Sequence, residues 1–411
     1  MKKRTGQDSF FCLVQNIHFF RKQDESLMYF NNAATTWPKP EIVYETVDEC
    51  FRNLNSPDRT HSAEGAQSSS TMQTCRKEVA EFFGIDDETR LVFLPSCTYA
   101  LNLAILGQAW TKDDVVIMSG LEHHAVSRPI RKLSRERGVE FKISPYTPEK
   151  PFDLDWLEEE LKTGKVKMVA CTMAANVTGD ILPSIEIGQL CKKYGVRYLV
   201  DAAQSAGVLP VDVKELNADF MTFAGHKGLF GPPGIGGLFV RDGIVLDTLA
   251  EGGTGKDSGK HDMSGSFPSN FEVGTHNLIG ITGLCAGVRW VKQAGLDAIR
   301  DHEHSLLIRF IEAISSIPGI KLYGSENLER RTSVCSFTLQ DMSPQKIATW
   351  LSETYGVSTR AGYHCAPQSH ETIGTIPGEG TIRFSFGFSN TVEEIDAVTG
   401  MLAELPRHAT V

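Results

Sequence analysis

Between Leu91 and Val240, short β-branched runs alternate with stretches whose apolar residues recur every three or four positions. The runs are Leu91–Leu94, Val115–Met118, Val139–Ile143, Val166–Thr172, Val196–Asp201, Phe220–Phe223 and Gly237–Val240. Leu154, Leu157 and Leu161 show the helical spacing that separates them. Runs that are apolar at nearly every position leave no solvent face, and parallel neighbours need a crossover long enough to be a helix. The alternation therefore predicts an α/β domain with a mostly parallel central sheet flanked by helices.

Past Gly252 the pattern stops. GGTGKDSGKHDMSGSFPSN is rich in Gly and Ser and has no period, so it reads as a long exposed loop, functional or simply mobile. Helical spacing returns over Asn277–Ala294 and Leu296–Ile317, followed by strand, strand, helix, strand, helix. This predicts residues 28–290 as a large domain, whose first residues are free to join a smaller α+β domain at 291–411. Residues 1–27 form an N-terminal extension. Lys2, Lys3 and Arg4 open it, but Gln15, Asn16, His18, Arg21 and Lys22 interrupt any apolar signal core.

Several classes of function are disfavoured. A net charge of −10 without clustered Lys and Arg is unsuited to a nucleic-acid surface. No apolar stretch approaches the ~18–20 residues of a membrane span. The 9 cysteines are scattered singly with no CxxC pair, so no metal site is expected, and the thiols fit a reducing, cytoplasmic setting.

The most informative stretch is FAGHKGLFGPPGIGGLFV, in which Lys227 follows a strand and glycines crowd the loop behind it. Ligands of open α/β sheets bind outside the carboxyl ends of strands. A lone lysine there is commonly a solvated charge, and Asp201, which ends the strand in RYLVDAAQSAG, could be no more than a helix N-cap. Together they supply the amine and the acid that a pyridoxal cofactor requires, one to bind it covalently and one to keep its ring nitrogen protonated.

The ordered set YFNNAATT, EHHAVSRP, NVTGDILP, VDAAQSAG, GHKGLFGPPGIGG, FEVGTHN, RAGYHCAP and TIRFSFG resembles the class V aminotransferase family. Within it the chain is similar to the cysteine desulfurase and selenocysteine lyase branch. The resemblance implies the pyridoxal-phosphate transferase fold of type I and pyridoxal 5'-phosphate as cofactor. It implies that Lys227 carries the cofactor as a Schiff base and moves protons, that Asp201 faces the ring nitrogen, and that Gln204 reaches the phenolic oxygen. Asn176 would share that contact or touch substrate, and His123 would stack on the ring. Cys97, Thr98 and His226 would face the phosphate at a helix N-terminus. Thr275 would reach across the interface of a homodimer. Arg383 would pair with the substrate carboxylate beside Asn176, Asn32 and Ala34. Cys365, with Arg360 and His364 nearby, would take sulfur as a persulfide and pass it to an acceptor protein. Departures from the family pattern stand at Ala224, Ser96, Tyr99, Met173 and Ala175. The expected activity is conversion of L-cysteine to L-alanine. Selenocysteine lyase, aminotransferase or epimerase chemistry, or a weakly active cofactor-binding scaffold, remain alternatives.

Overall fold

The computed structural model describes residues 27–57, 62–255, 259, 261–263 and 266–408; all of the 1–27 extension except residue 27, and parts of the Gly/Ser-rich stretch, lie outside them. The chain enters through β1 (Met28–Tyr29), then α1 (Glu41–Asn53) and α2 (Ala63–Phe82). The alternating region follows as β2 (Leu91–Leu94), α3 (Cys97–Leu106), β3 (Val115–Met118), α4 (His124–Arg137), β4 (Glu140–Ile143), α5 (Leu154–Lys162), β5 (Val166–Thr172), α6 (Ser184–Tyr194), β6 (Arg197–Asp201), β7 (Phe220–Ala224) and β8 (Gly236–Val240). All seven expected strands form one sheet, in the order β2-β8-β7-β6-β5-β3-β4. It is parallel except at β8, which runs antiparallel to both β2 and β7.

Both faces of this sheet are buried along its inner strands, as their apolar runs require, while the edge strand β4 is half-buried with Glu140 exposed. Leu91, Phe93, Val115 and Ile117 feed one core, and Val92, Leu94, Val116 and Met118 feed the other. This is the strict two-residue alternation of extended backbone. Capping residues set the crossovers. The Asp153 side chain accepts from the backbone of Asp155 and Trp156 to start α5, and Gly138 and Gly195 close α4 and α6 with left-handed φ of 71° and 68°.

Helix α7 (Leu278–Ala294) packs on α1 and α2, and Gly295 then turns the chain into α8 (Leu296–Ser315). Next come β9 (Ile320–Tyr323), β10 (Val334–Leu339), α9 (Pro344–Tyr355), β11 (Val357–Ser358), β12 (Arg360–Gly362), α10 (Pro367–Thr372), β13 (Thr381–Ser385) and α11 (Val392–His408). The sheet β12-β13-β10-β9 is antiparallel and is backed by Phe310, Phe337, Phe384 and Phe386. Phe30 belongs to this core and β1 pairs with β11, so the first described residues join the smaller unit. The short helix α10 was not expected. Its residues PQSHET show no apolar period, and it forms because Pro367 starts a single buried turn.

Candidate active site

A cavity of about 230 Å³ opens at the carboxyl ends of β5, β6 and β7. Its wall includes Ala34, Cys97, Thr98, His123, Asn176, Asp201, Gln204, His226, Lys227 and Arg383, all of which the sequence singled out, together with Arg360 and His364. Residues separated by hundreds of positions thus converge because their strands end side by side.

Lys227 lies on the loop after β7. Burial holds its amine below the ordinary lysine value, although the Asp201 carboxylate pulls the other way. Asp201 closes β6 and is almost fully buried. Its Oδ1 accepts from the Ala203 amide at 2.9 Å and from the Cys97 thiol at 3.5 Å, while Oδ2 has no partner among the described residues. The Cys97 thiol also donates to Thr222 Oγ1 at 3.4 Å, and burial pushes it well above the usual thiol range. Cys97 is therefore a neutral neighbour of Asp201.

His123 caps α4. Its Nδ1 accepts from the Ala125 amide at 3.0 Å, which fixes the ring orientation. Burial and then the charge of Lys227 push this imidazole down to about 3, so it is neutral at physiological pH. His226 is lowered to about 4, first by burial and then by Lys227 and Lys39. Ser96 caps α3 by accepting from the Tyr99 amide at 3.2 Å, a local reason for serine at one of the departures from the family pattern. Thr98 stands in the first turn of that helix, where free N–H groups favour an anion.

On the other wall, Arg383 is buried on β13. Its Nη1 donates to Asn176 O at 2.9 Å and its Nη2 to Asn31 Oδ1 at 3.0 Å, whereas its Nε is unpartnered. Burial and the nearby Arg360 guanidinium both disfavour its charge. Two cations with no carboxylate between them make a place for an anion. Asn176 donates from Nδ2 to His364 O at 2.9 Å, and its Oδ1 is left without a partner.

Cys365 is the exposed one among eight described cysteines. Arg360 Nη2 donates to its Sγ at 3.1 Å, and its carbonyl accepts from the His124 amide at 2.8 Å, beside His123. His364 and Cys365 both adopt left-handed φ, 49° and 57°, which side-chain-bearing residues rarely do. The surrounding bonds to Asn176, His124 and Arg360 hold that conformation.

Three expected residues are not on the cavity's lining: Cys365, which adjoins it through Arg360 and His364, and Asn32 and Thr275. Asn32 does not line this cavity: its Nδ2 donates to Ser385 O at 3.0 Å and Asn390 Oδ1 at 3.1 Å, and its Oδ1 accepts from Trp37 N at 3.3 Å. Asn31, not Asn32, touches Arg383: Asn31 is bridged to Ser385, whereas Asn32 begins the turn that follows. Thr275 is exposed and lies off the cavity.

Sequence reasoning missed Asn31, Glu122 and Lys39. Lys39 Nζ donates to His226 O at 2.6 Å and to Thr36 Oγ1 at 2.7 Å, and burial lowers it to about 7. No local pattern marks it. Glu122, the first letter of EHHAVSRP, accepts from the Thr172 amide at 2.9 Å and is lifted to about 8 by burial.

The family model for aminotransferase class V matches residues 28–398. A probable cysteine desulfurase of Mycolicibacterium paratuberculosis is 34% identical over 90% of this chain, and the chain spans 54% of that relative's length. A probable cysteine desulfurase of Pyrococcus abyssi is 33% identical, over 93% of this chain and 94% of its own. The apo structure of a cysteine desulfurase from Thermococcus onnurineus superposes with a TM-score of 0.88 at 30% identity, covering 98% of both chains.

Proposed function

Since the chain belongs to the aminotransferase class V family, we propose that it is a pyridoxal-phosphate-dependent cysteine desulfurase that converts L-cysteine to L-alanine and keeps the sulfur on Cys365. The cavity suits the family's cofactor. The Asp201 carboxylate on the cavity wall, whose Oδ1 alone accepts hydrogen bonds from described residues, answers a protonated ring nitrogen, and the buried, unpartnered Asn176 Oδ1 answers a further donor. Lys227 would hold the aldehyde carbon and Asp201 the ring nitrogen. Gln204 would meet the phenolic oxygen, His123 the ring face, and Thr98, His226 and the first turn of α3 the phosphate. When bound, the cofactor withdraws electrons from the substrate's Cα.

The chain's own residues do the rest. Arg383, already held by Asn176 and Asn31, takes the substrate carboxylate and so orients the amino acid. Lys227, its amine held below the ordinary lysine value by burial, takes up and returns the proton at Cα. Neutral His123 packs on the reacting face without adding charge. Cys365 supplies the nucleophilic sulfur. In the net change its S–S bond to the substrate sulfur forms as the carbon–sulfur bond breaks, and the carbon gains a proton to become the methyl group of alanine.

The exposure of Cys365 beside this buried cavity is the observation that carries the reading. A thiol that must collect sulfur inside and deliver it outside needs both contacts. We further propose that a sulfur-acceptor protein meets Cys365 and that the active form is a homodimer. Exposed Thr275 would face the second copy, which would also cover the exposed Ile42, Tyr44 and Phe51 of α1.

Incubation with L-cysteine and a reductant should yield alanine and sulfide in equal amounts. Cys365→Ala should retain bound cofactor, seen by its absorbance, but lose sulfide release by at least about tenfold. Full sulfide release by that variant would remove Cys365 from the mechanism.

A further inference from the structure

Behind the reactive lysine lies a second, smaller cavity of about 30 Å³. Lys227, Gln204 and Ala33 line both cavities and so form the partition between them. The far wall belongs to the smaller unit and carries Glu303 from α8, with Ser333 and Ser385. Lys227 and Glu303 are the ionisable side chains of the cavity's lining. The volume exceeds the ~10–15 Å³ that one water requires, and the lining offers that water several polar partners.

Glu303 is an unusual tenant of such a place. It is 5% exposed and has no ion-pair partner among the described residues. Its Oε2 accepts from Ser333 Oγ at 2.9 Å, and that hydroxyl is also within hydrogen-bond reach of Phe386 O at 2.8 Å. On the elements packed around it, His302 contacts Asn390 O, Arg331 donates to Val334 O, and Glu394 accepts from Asn390 and Thr391. A buried carboxyl without a counter-cation keeps its proton. Burial accordingly raises Glu303 to about 8, against the smaller opposing effects of Ser333 and the Phe388 amide.

We propose that the small cavity holds water and that Glu303 passes a proton through it to the Lys227 amine, reloading the acid–base group from the smaller unit. The inference rests on Lys227 acting at Cα, as argued above. The transfer conserves charge and atoms. The carboxyl gives its proton to the water, the water gives one of its own to the amine, and Glu303 remains a carboxylate until solvent returns a proton. The demand is real, because each turnover builds a new carbon–hydrogen bond.

The test is Glu303→Gln, which keeps the volume and the acceptor for Ser333 but has no proton to give. The wild-type-minus-variant infrared difference spectrum of the cofactor-free protein at neutral pH should show a protonated-carboxyl band, since the band of buried Glu122 is common to both and cancels. In the loaded enzyme, exchange of the Cα proton of L-alanine with D2O, followed by NMR, should slow about tenfold or more with cofactor occupancy unchanged. This readout needs no sulfur chemistry, so it stands even if desulfuration is absent. Val208→Leu, which fills the cavity and leaves Glu303 intact, should slow the same exchange and serves if Glu303→Gln does not fold. A difference spectrum without the carboxyl band, or exchange within twofold of wild type in either variant, overturns the relay.

Discussion

Replacing Arg383 by lysine keeps one positive charge at the cavity wall and removes the planar fork. In the wild type Nη1 is committed to Asn176 O and Nη2 to Asn31 Oδ1, so the guanidinium plane is set before substrate arrives. A guanidinium carries more N–H groups than these two bonds consume, and the remainder can meet a carboxylate as a pair. Hydrogen bonds to charged groups contribute about 1.5–3 kcal/mol each. An ammonium can replace one of the paired bonds but not both with correct geometry, and it leaves Asn176 and Asn31 less well held. A loss of about 3 kcal/mol corresponds to about 150-fold in kcat/KM for L-cysteine, most of it in KM. The assay is initial rates of alanine formation from L-cysteine beside sulfide release from cysteamine, which has the same amine and thiol but no carboxylate. Arg383→Lys should lower the first by that factor and leave the second within about threefold. An equal fall on both substrates would refute the reasoning, since it would mean Arg383 serves only to hold Asn176 and Asn31.

Two more outcomes are expected. Asp201→Asn keeps an acceptor for the Ala203 amide but removes the charge, so cofactor affinity in absorbance titrations should weaken by about tenfold to 100-fold; unchanged affinity would contradict the assignment. Gly207→Ala places a Cβ 2.1 Å from Gly228 O at a φ of +85°, which displaces the loop next to Lys227. It should cost about 1–3 kcal/mol in unfolding experiments and reduce cofactor occupancy, and wild-type stability would show that the loop yields freely.

The parts of this molecule that the sequence reveals are those encoded by local chemistry. Strands such as Val166–Thr172 are legible because burial on both faces demands uninterrupted apolar residues, and Asp201 and Lys227 because each follows such a run. The reversed direction of β8 is not legible, since antiparallel pairing with β2 and β7 leaves no mark in GGLFV. Asn31 is bridged to Ser385 and Asn32 begins the turn that follows, a division that depends on pairing far along the chain and that two adjacent asparagines do not reveal. Glu303 looks like any acid on an amphipathic helix until Ser333 closes over it. The roles of Cys97 and Cys365 separate in the same way: identical side chains, one sealed under Asp201 and one open to solvent.

The segment from Phe30 to Lys39 has its two ends fixed in different bodies. Phe30 is locked into the aromatic core of the smaller unit, while Thr35, Thr36 and Lys39 grip the carbonyl of His226. That carbonyl belongs to the peptide linked directly to Lys227. The segment is thus a tether, and any rotation of the smaller unit draws on it or slackens it at the base of the reactive side chain. A rotation that widened the cleft would therefore also shift the base of the reactive amine.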